Sequence, residues 1–104
     1  MLYTLFFSRL RDLDPDERAA YQERAGSLKA LAEDAHPGFV DLKTYTAEDG
    51  ERLTVVRFRD EEAQRAWRRD PAHREGQRLG RERFYDQYRI VVCEPVRERA
   101  WTRD

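Results

Sequence analysis

Three strand-like segments of this sequence are apolar on both faces that an extended chain presents, and this limits the folds open to it. Read with a period of two, Leu2–Leu10 places Thr4, Phe6 and Ser8 on one side and Tyr3, Leu5 and Phe7 on the other. Phe39–Thr46 divides into Val40, Leu42 and Thr44 against Phe39, Asp41 and Tyr45. The last segment, Tyr85–Glu94, sets Tyr88, Ile90 and Val92 against Val91 and Cys93, and Pro95 stops it. Its run Ile90-Val91-Val92-Cys93 has the pattern of a central strand. A sheet that faced water on one side would alternate apolar with polar residues. These segments do not, so their sheet needs two covers.

The intervening segments supply one cover. Asp14-Pro15-Asp16-Glu17 combines an N-cap, a proline at the first helical position and an acid at the third. Tyr21, Ala25, Leu28, Ala32 and Ala35 then recur at three- and four-residue intervals, a helical stripe that ends at His36-Pro37-Gly38. The acidic connection Ala47-Glu48-Asp49-Gly50-Glu51 joins Phe39–Thr46 to Arg52–Arg59 as an antiparallel hairpin. Asp60 caps a second helix with Ala63, Ala66 and Trp67 on one face. Asp70-Pro71 breaks that helix and starts it again, so a broken helix is predicted from Glu61 to about Arg83. The order βαββαβ predicts an α+β, ferredoxin-like fold, with a four-stranded antiparallel sheet and both helices on one face. The simplest second cover is the same sheet of another copy, which predicts a homodimer.

With 104 residues there is room for one core, and residues 1–94 form the expected domain, with 95–104 as a charged tail. Acids and bases nearly cancel to a net charge of -1, which provides no field for nucleic acid or an anionic membrane. The lone Cys93 allows no internal disulfide, and the apolar run Leu2–Phe7 is too short for export or membrane spanning. A cytoplasmic setting is expected. Histidines stand only at His36 and His73, and no Cys-x-x-Cys, His-x-His, Gly-rich phosphate loop or Gly-x-Ser-x-Gly elbow is present. Arg74, Arg78, Arg81 and Arg83 alternate with Glu75 and Glu82 and read as a solvated, ion-paired helical face.

Several stretches also resemble the antibiotic biosynthesis monooxygenase family of dimeric α/β barrels. They are His36-Pro37-Gly38-Phe39, Leu53-Thr54-Val55-Val56, the run Phe58-Arg59-Asp60-Glu61-Glu62-Ala63 leading to Trp67, and His73. The resemblance spans about Leu2 to Glu94. It implies a pocket between helices and sheet, and either oxygenation of a small aromatic or quinol-like molecule without metal or flavin, or haem degradation. In the haem-degrading branch an asparagine, a tryptophan and a histidine surround haem. Those positions here hold Ser8, Trp67 and Gln77, and an amide is a poor substitute for imidazole as an iron ligand. No cofactor is therefore expected.

For an oxygenase of this kind, the substrate itself reduces oxygen after losing a proton in an apolar cavity near a cation. The resemblance then implies Trp67 as a stacking surface and His73 as base. Phe6, Ser8, Tyr21, Arg57 and Gln77 are candidates for binding the substrate. Each has a plainer role beside this one. Trp67 would be core, Ser8 a backbone partner at a strand end, His73 a solvated side chain between Arg74 and Glu75, and His36 part of a turn. The alternative function is a non-catalytic dimeric module that holds a hydrophobic ligand. A filled cavity, with Trp67 wedged by Leu28, Leu31 and Leu79, is what that alternative predicts.

Overall fold

The computed structural model describes all 104 residues. The chain runs β1 (Leu2–Leu10), α1 (Pro15–Ala35), β2 (Phe39–Thr46), β3 (Arg52–Phe58), α2 (Glu61–Arg69), α3 (Pro71–Leu79), a π-turn (Gly80–Phe84) and β4 (Tyr85–Cys93). The strands form one antiparallel sheet in the order β2-β3-β1-β4, as the ferredoxin-like arrangement requires. The expected central position of Ile90–Cys93 is corrected: β4 is an edge strand. Apolar residues on both faces of a strand do not by themselves place it in the middle of a sheet.

Helix starts follow their local chemistry. Asp14 accepts a hydrogen bond from the Glu17 backbone N–H at 2.8 Å while the Glu17 carboxylate reaches back to the Asp14 N–H, a reciprocal cap. Asp60 caps α2 through the Ala63 N–H at 2.9 Å. Asp70 closes α2 and opens α3, accepting from the Ala72 N–H at 2.8 Å, with Pro71 in the first turn. The hairpin between β2 and β3 turns at Gly50, whose φ of 90° lies in the left-handed region that glycine enters without strain.

The pairing register shows which residues share a face. Leu2, Thr4, Phe6 and Ser8 of β1 lie beside Phe58, Val56, Thr54 and Arg52 of β3 and, from Thr4 on, beside Val92, Ile90 and Tyr88 of β4. This is the helix-bearing face: Ala32, Val56, Phe58 and Trp67 form its buried core, with Leu28, Leu31, Phe39, Leu42 and Ala63 packed around them. A bulge between Phe39 and Asp41 corrects the simple alternation of β2. It returns Phe39 to the helix side, 6.2 Å from the Phe58 ring, and leaves Val40 exposed.

Two helical stripes are corrected as well. In α1 the inward residues are Tyr21, Arg24, Leu28, Leu31 and Ala32, while Ala25 and Ala35 are exposed. In α2 Gln64 is buried with Trp67, and Ala66 is exposed. Close approach explains both packings: a Cβ on Gly76 would meet Leu28 Cδ1 at 2.6 Å, and one on Gly38 would meet Ala63 Cβ at 2.2 Å. The helices do not reach all of β4. Ile90 and Val92 stay 41% and 45% exposed on the helix side. No helix is long and apolar enough to cross a membrane, and residues 94–104 form no helix or strand.

Candidate functional site

Trp67 sits where three segments meet. Its ring is 9% exposed and belongs to the core. The His73 ring lies against it, with centroids 4.5 Å apart and planes tilted by 33°, and the His36 ring packs edge-on to it at 5.1 Å. His36 Nε2 is 2.8 Å from Asp70 Oδ2, and the other Asp70 oxygen caps α3. One carboxylate thus ties the end of α1 to the break between α2 and α3. The bond from His36 holds the Asp70 carboxyl below its usual range. Burial pushes the His73 pKa down, and its Nδ1 is buried without a hydrogen-bond partner. The expectation of a solvated His73 is corrected, and His36 is more than a turn residue.

A second group lies at the other end of α1. Tyr21 packs edge-on against Phe84 at 5.4 Å and Tyr85 at 5.8 Å, and the Tyr85 hydroxyl is 3.4 Å from that of Tyr21. Phe6 joins them, 5.5 Å from Tyr85 and 5.3 Å from Tyr88. Burial, reinforced by the Tyr21 phenol, pushes the Tyr85 phenol well above its ordinary value. Ser8 is only 3% exposed beside this cluster, and the Arg52 guanidinium lies 5.5 Å from the centroid of the Tyr21 ring.

The expected site residues therefore do not converge at one point. Trp67 and His73 meet at the Ala32 end of α1, and Phe6, Ser8 and Tyr21 belong to the other end. From Tyr21 to Ala32 is eleven residues, about 16 Å along a helix at ~1.5 Å per residue. Gln77, half-buried on α3 next to the Gly76–Leu28 contact, lies between the two groups. Arg57 is the correction. It pairs in register with Tyr3 and Asp41 on the face away from the helices, and its guanidinium forms an ion pair with Asp41. It cannot line a pocket between helices and sheet.

Two surface cavities flank the Tyr21 end. One of about 680 Å³ is bounded by the end of β1, the turn of the β2–β3 hairpin, the first turn of α1 and the start of β4. The other, of about 240 Å³, is lined by Ser8 and Tyr88 among others. Neither is lined by Trp67. No three histidine, cysteine or acidic side chains converge as a metal site. The donor set does not fit haem either: Gln77 offers an amide, and the free nitrogen of His73 is buried beside a stacked tryptophan. Asp70 and Arg52 escaped the sequence reading as site residues. Asp70 was legible only as a helix cap, and nothing around Arg52 in the sequence marks its neighbour Tyr21.

Comparison with known proteins agrees with this architecture. The chain is 28% identical over 99 residues to the uncharacterized protein YqjZ of Bacillus subtilis (strain 168), covering 95% of this chain and 83% of that protein. The solved structure of Rv0793 from Mycobacterium tuberculosis superposes with a TM-score of 0.75 at 20% identity, over 95% of this chain and 98% of that one. SnoaB, a cofactor-independent oxygenase from Streptomyces nogalater, superposes with a TM-score of 0.76 at 12% identity, over 93% and 94%. These structures share the fold. A sequence profile described as antibiotic biosynthesis monooxygenase matches residues 8–79, more than half of the chain. With the βαββαβ sheet and the Trp67 helix in place, this match shows that the chain belongs to the antibiotic biosynthesis monooxygenase family.

Proposed function

We propose that the protein is a cofactor-independent monooxygenase acting on a small aromatic or quinol-like molecule at the Trp67 end of the helix layer. The observation that carries this reading is the half-buried His73 ring stacked against Trp67. Burial favours the neutral imidazole, the protonation state that a base needs in order to take a proton from a phenol or enol. The substrate anion passes one electron to oxygen, and the radical pair joins as a peroxide at the activated carbon. Loss of water then leaves a carbonyl there. A methylene and one O₂ become a carbonyl and one H₂O, so the reaction balances without another reductant. Trp67 supplies a flat apolar surface for the aromatic rings.

Oxygen uptake with a panel of phenols, anthrones and quinols tests this. His73→Gln is expected to lose about 10²- to 10⁴-fold in kcat, while Trp67→Phe keeps the packing and weakens mainly substrate binding. The acidic limb of the pH–rate profile is expected below pH 6.5, the ordinary histidine value. Absence of turnover by any substrate, or unchanged kcat in His73→Gln, sinks the reading.

A second reading is favoured by the burial of Trp67 in the core with Leu28 and Leu31 beside it: a non-catalytic module that holds a hydrophobic molecule. Saturable ligand binding without oxygen consumption selects it. In either case we take the working form to be a homodimer in the cytoplasm. The supports are the free thiol of Cys93 and the apolar face opposite the helices, where Tyr3, Leu5, Phe7, Leu53, Val55 and Val91 are only half-buried.

A further inference from the structure

The 680 Å³ cavity at the Tyr21 end is polar, with Leu10 its one apolar wall residue. Four arginines reach it: Arg9, Arg11, Arg18 and Arg52. Arg9 is engaged by Asp49, with Nη2 2.8 Å from the carboxylate and Nη1 3.1 Å from the backbone oxygen. Arg11 donates only to the Arg83 carbonyl oxygen, at 3.3 Å. Arg18 and Arg52 have no carboxylate within 4.0 Å. Arg52 is the unusual one, because the residue is half-buried and yet its side chain makes no hydrogen bond within the protein. The Tyr21 ring lies beside its guanidinium and holds the group by cation–π attraction, which leaves its N–H donors unspent.

A guanidinium with free donors is matched by a planar or tetrahedral oxyanion, which takes two parallel N–H bonds. Two further wall residues, Asp12 and Asp86, are carboxylates outside any ion pair. They offer acceptors, which suit hydroxyl groups on the same molecule. We propose that this cavity binds a small hydroxylated anion, with Arg52 and Arg18 holding its acid group and Asp12 and Asp86 accepting from its hydroxyls. The acid group is a carboxylate or a phosphate, as in sugar acids or sugar phosphates. The site is separate from Trp67, which does not line it, and does not depend on any oxygenase activity.

Calorimetric titration of the protein at low salt with gluconate, glucose 6-phosphate and glucose tests this. Saturable binding of gluconate or glucose 6-phosphate, tighter than glucose and weakened by added salt, is expected. Binding of only one of the two anions identifies the carboxylate or the phosphate as the source. Arg52→Gln is expected to weaken it about tenfold or more, with Arg18→Gln also weaker. Arg65→Gln, on the exposed face of α2, serves as the control and is expected to leave it unchanged. Thermal melting of each variant separates lost binding from lost folding, and the Arg18 variant keeps the test valid should Arg52→Gln not fold. No saturable heat with either anion, equal affinity for glucose, or undiminished binding by the folded Arg52→Gln or Arg18→Gln variants would overturn the proposal. Oxygen uptake remains a separate readout.

Discussion

At the scale of single residues, the chain concentrates its chemistry in side chains with two duties. Asp70 caps α3 with one oxygen and accepts from His36 with the other, so its charge is stabilised in the folded chain and its pKa lies below 3.8. A depressed carboxylate contributes stability above its unfolded pKa and loses it as pH falls through the folded one. His73 adds a second slope. Burial lowers its pKa below 6.5, so stability is full above that value and declines as pH falls towards the folded one, where the unfolded chain binds more protons. Urea midpoints measured as a function of pH are therefore expected to fall in two stages. Asp70→Asn keeps a cap acceptor but should flatten the stage below about pH 4. A variant as acid-sensitive as the parent protein contradicts this assignment.

At the scale of elements, small residues set how closely the layers approach, and the cost of enlarging them depends on what they touch. At Gly76 the added methyl meets the tip of Leu28, which can rotate away. At Gly38 it meets Ala63 Cβ at 2.2 Å, fixed to the backbone of α2. Gly38→Ala is thus expected to destabilise by about 1–3 kcal/mol through overpacking, clearly more than Gly76→Ala, where relief by Leu28 and a gain in helix propensity offset each other. Equal melting temperatures for the two variants would contradict the close approach at Gly38. The same contacts explain which parts of the helices were legible. The capping box at Asp14 and the break at Asp70-Pro71 are local chemistry, and both appear where the residues place them. The inward stripe depends on neighbours. A serviceable apolar period through Ala25 and Ala35 yielded to one through Leu31, which packs against the core while the two alanines face solvent.

For the whole molecule, the proposed homodimer rests on the open face of the sheet. Its centre is apolar, with Leu5 paired to Val55 and Val91, and its rim carries the Asp41–Arg57 ion pair and Arg89, whose guanidinium lies 4.1 Å from the Phe7 ring centroid. An isologous pair of such faces buries the apolar centre and keeps the charges at the edge. Val55→Asp places a charge in that centre, where burial in a dimer costs several kcal/mol and exposure in a monomer costs little. Sedimentation velocity is expected to show a dimer for the parent protein and a folded monomer for the variant. A parent protein that sediments as a monomer at micromolar concentration argues against the paired faces.

The amino-acid order alone determined the number and sequence of elements, the helix starts, the hairpin and the apolar character of both sheet faces, because each depends on neighbours within a few residues. Tertiary structure decided the rest. It put β4 at the sheet edge, turned Phe39 inward through a bulge, sent Arg57 to the face opposite the helices and divided the expected site residues between the two ends of α1. The physical reason is common to these cases. Alternation shows that two residues lie on opposite sides of a strand, but which side meets the helices, and at which end, is set by packing between segments far apart in the chain.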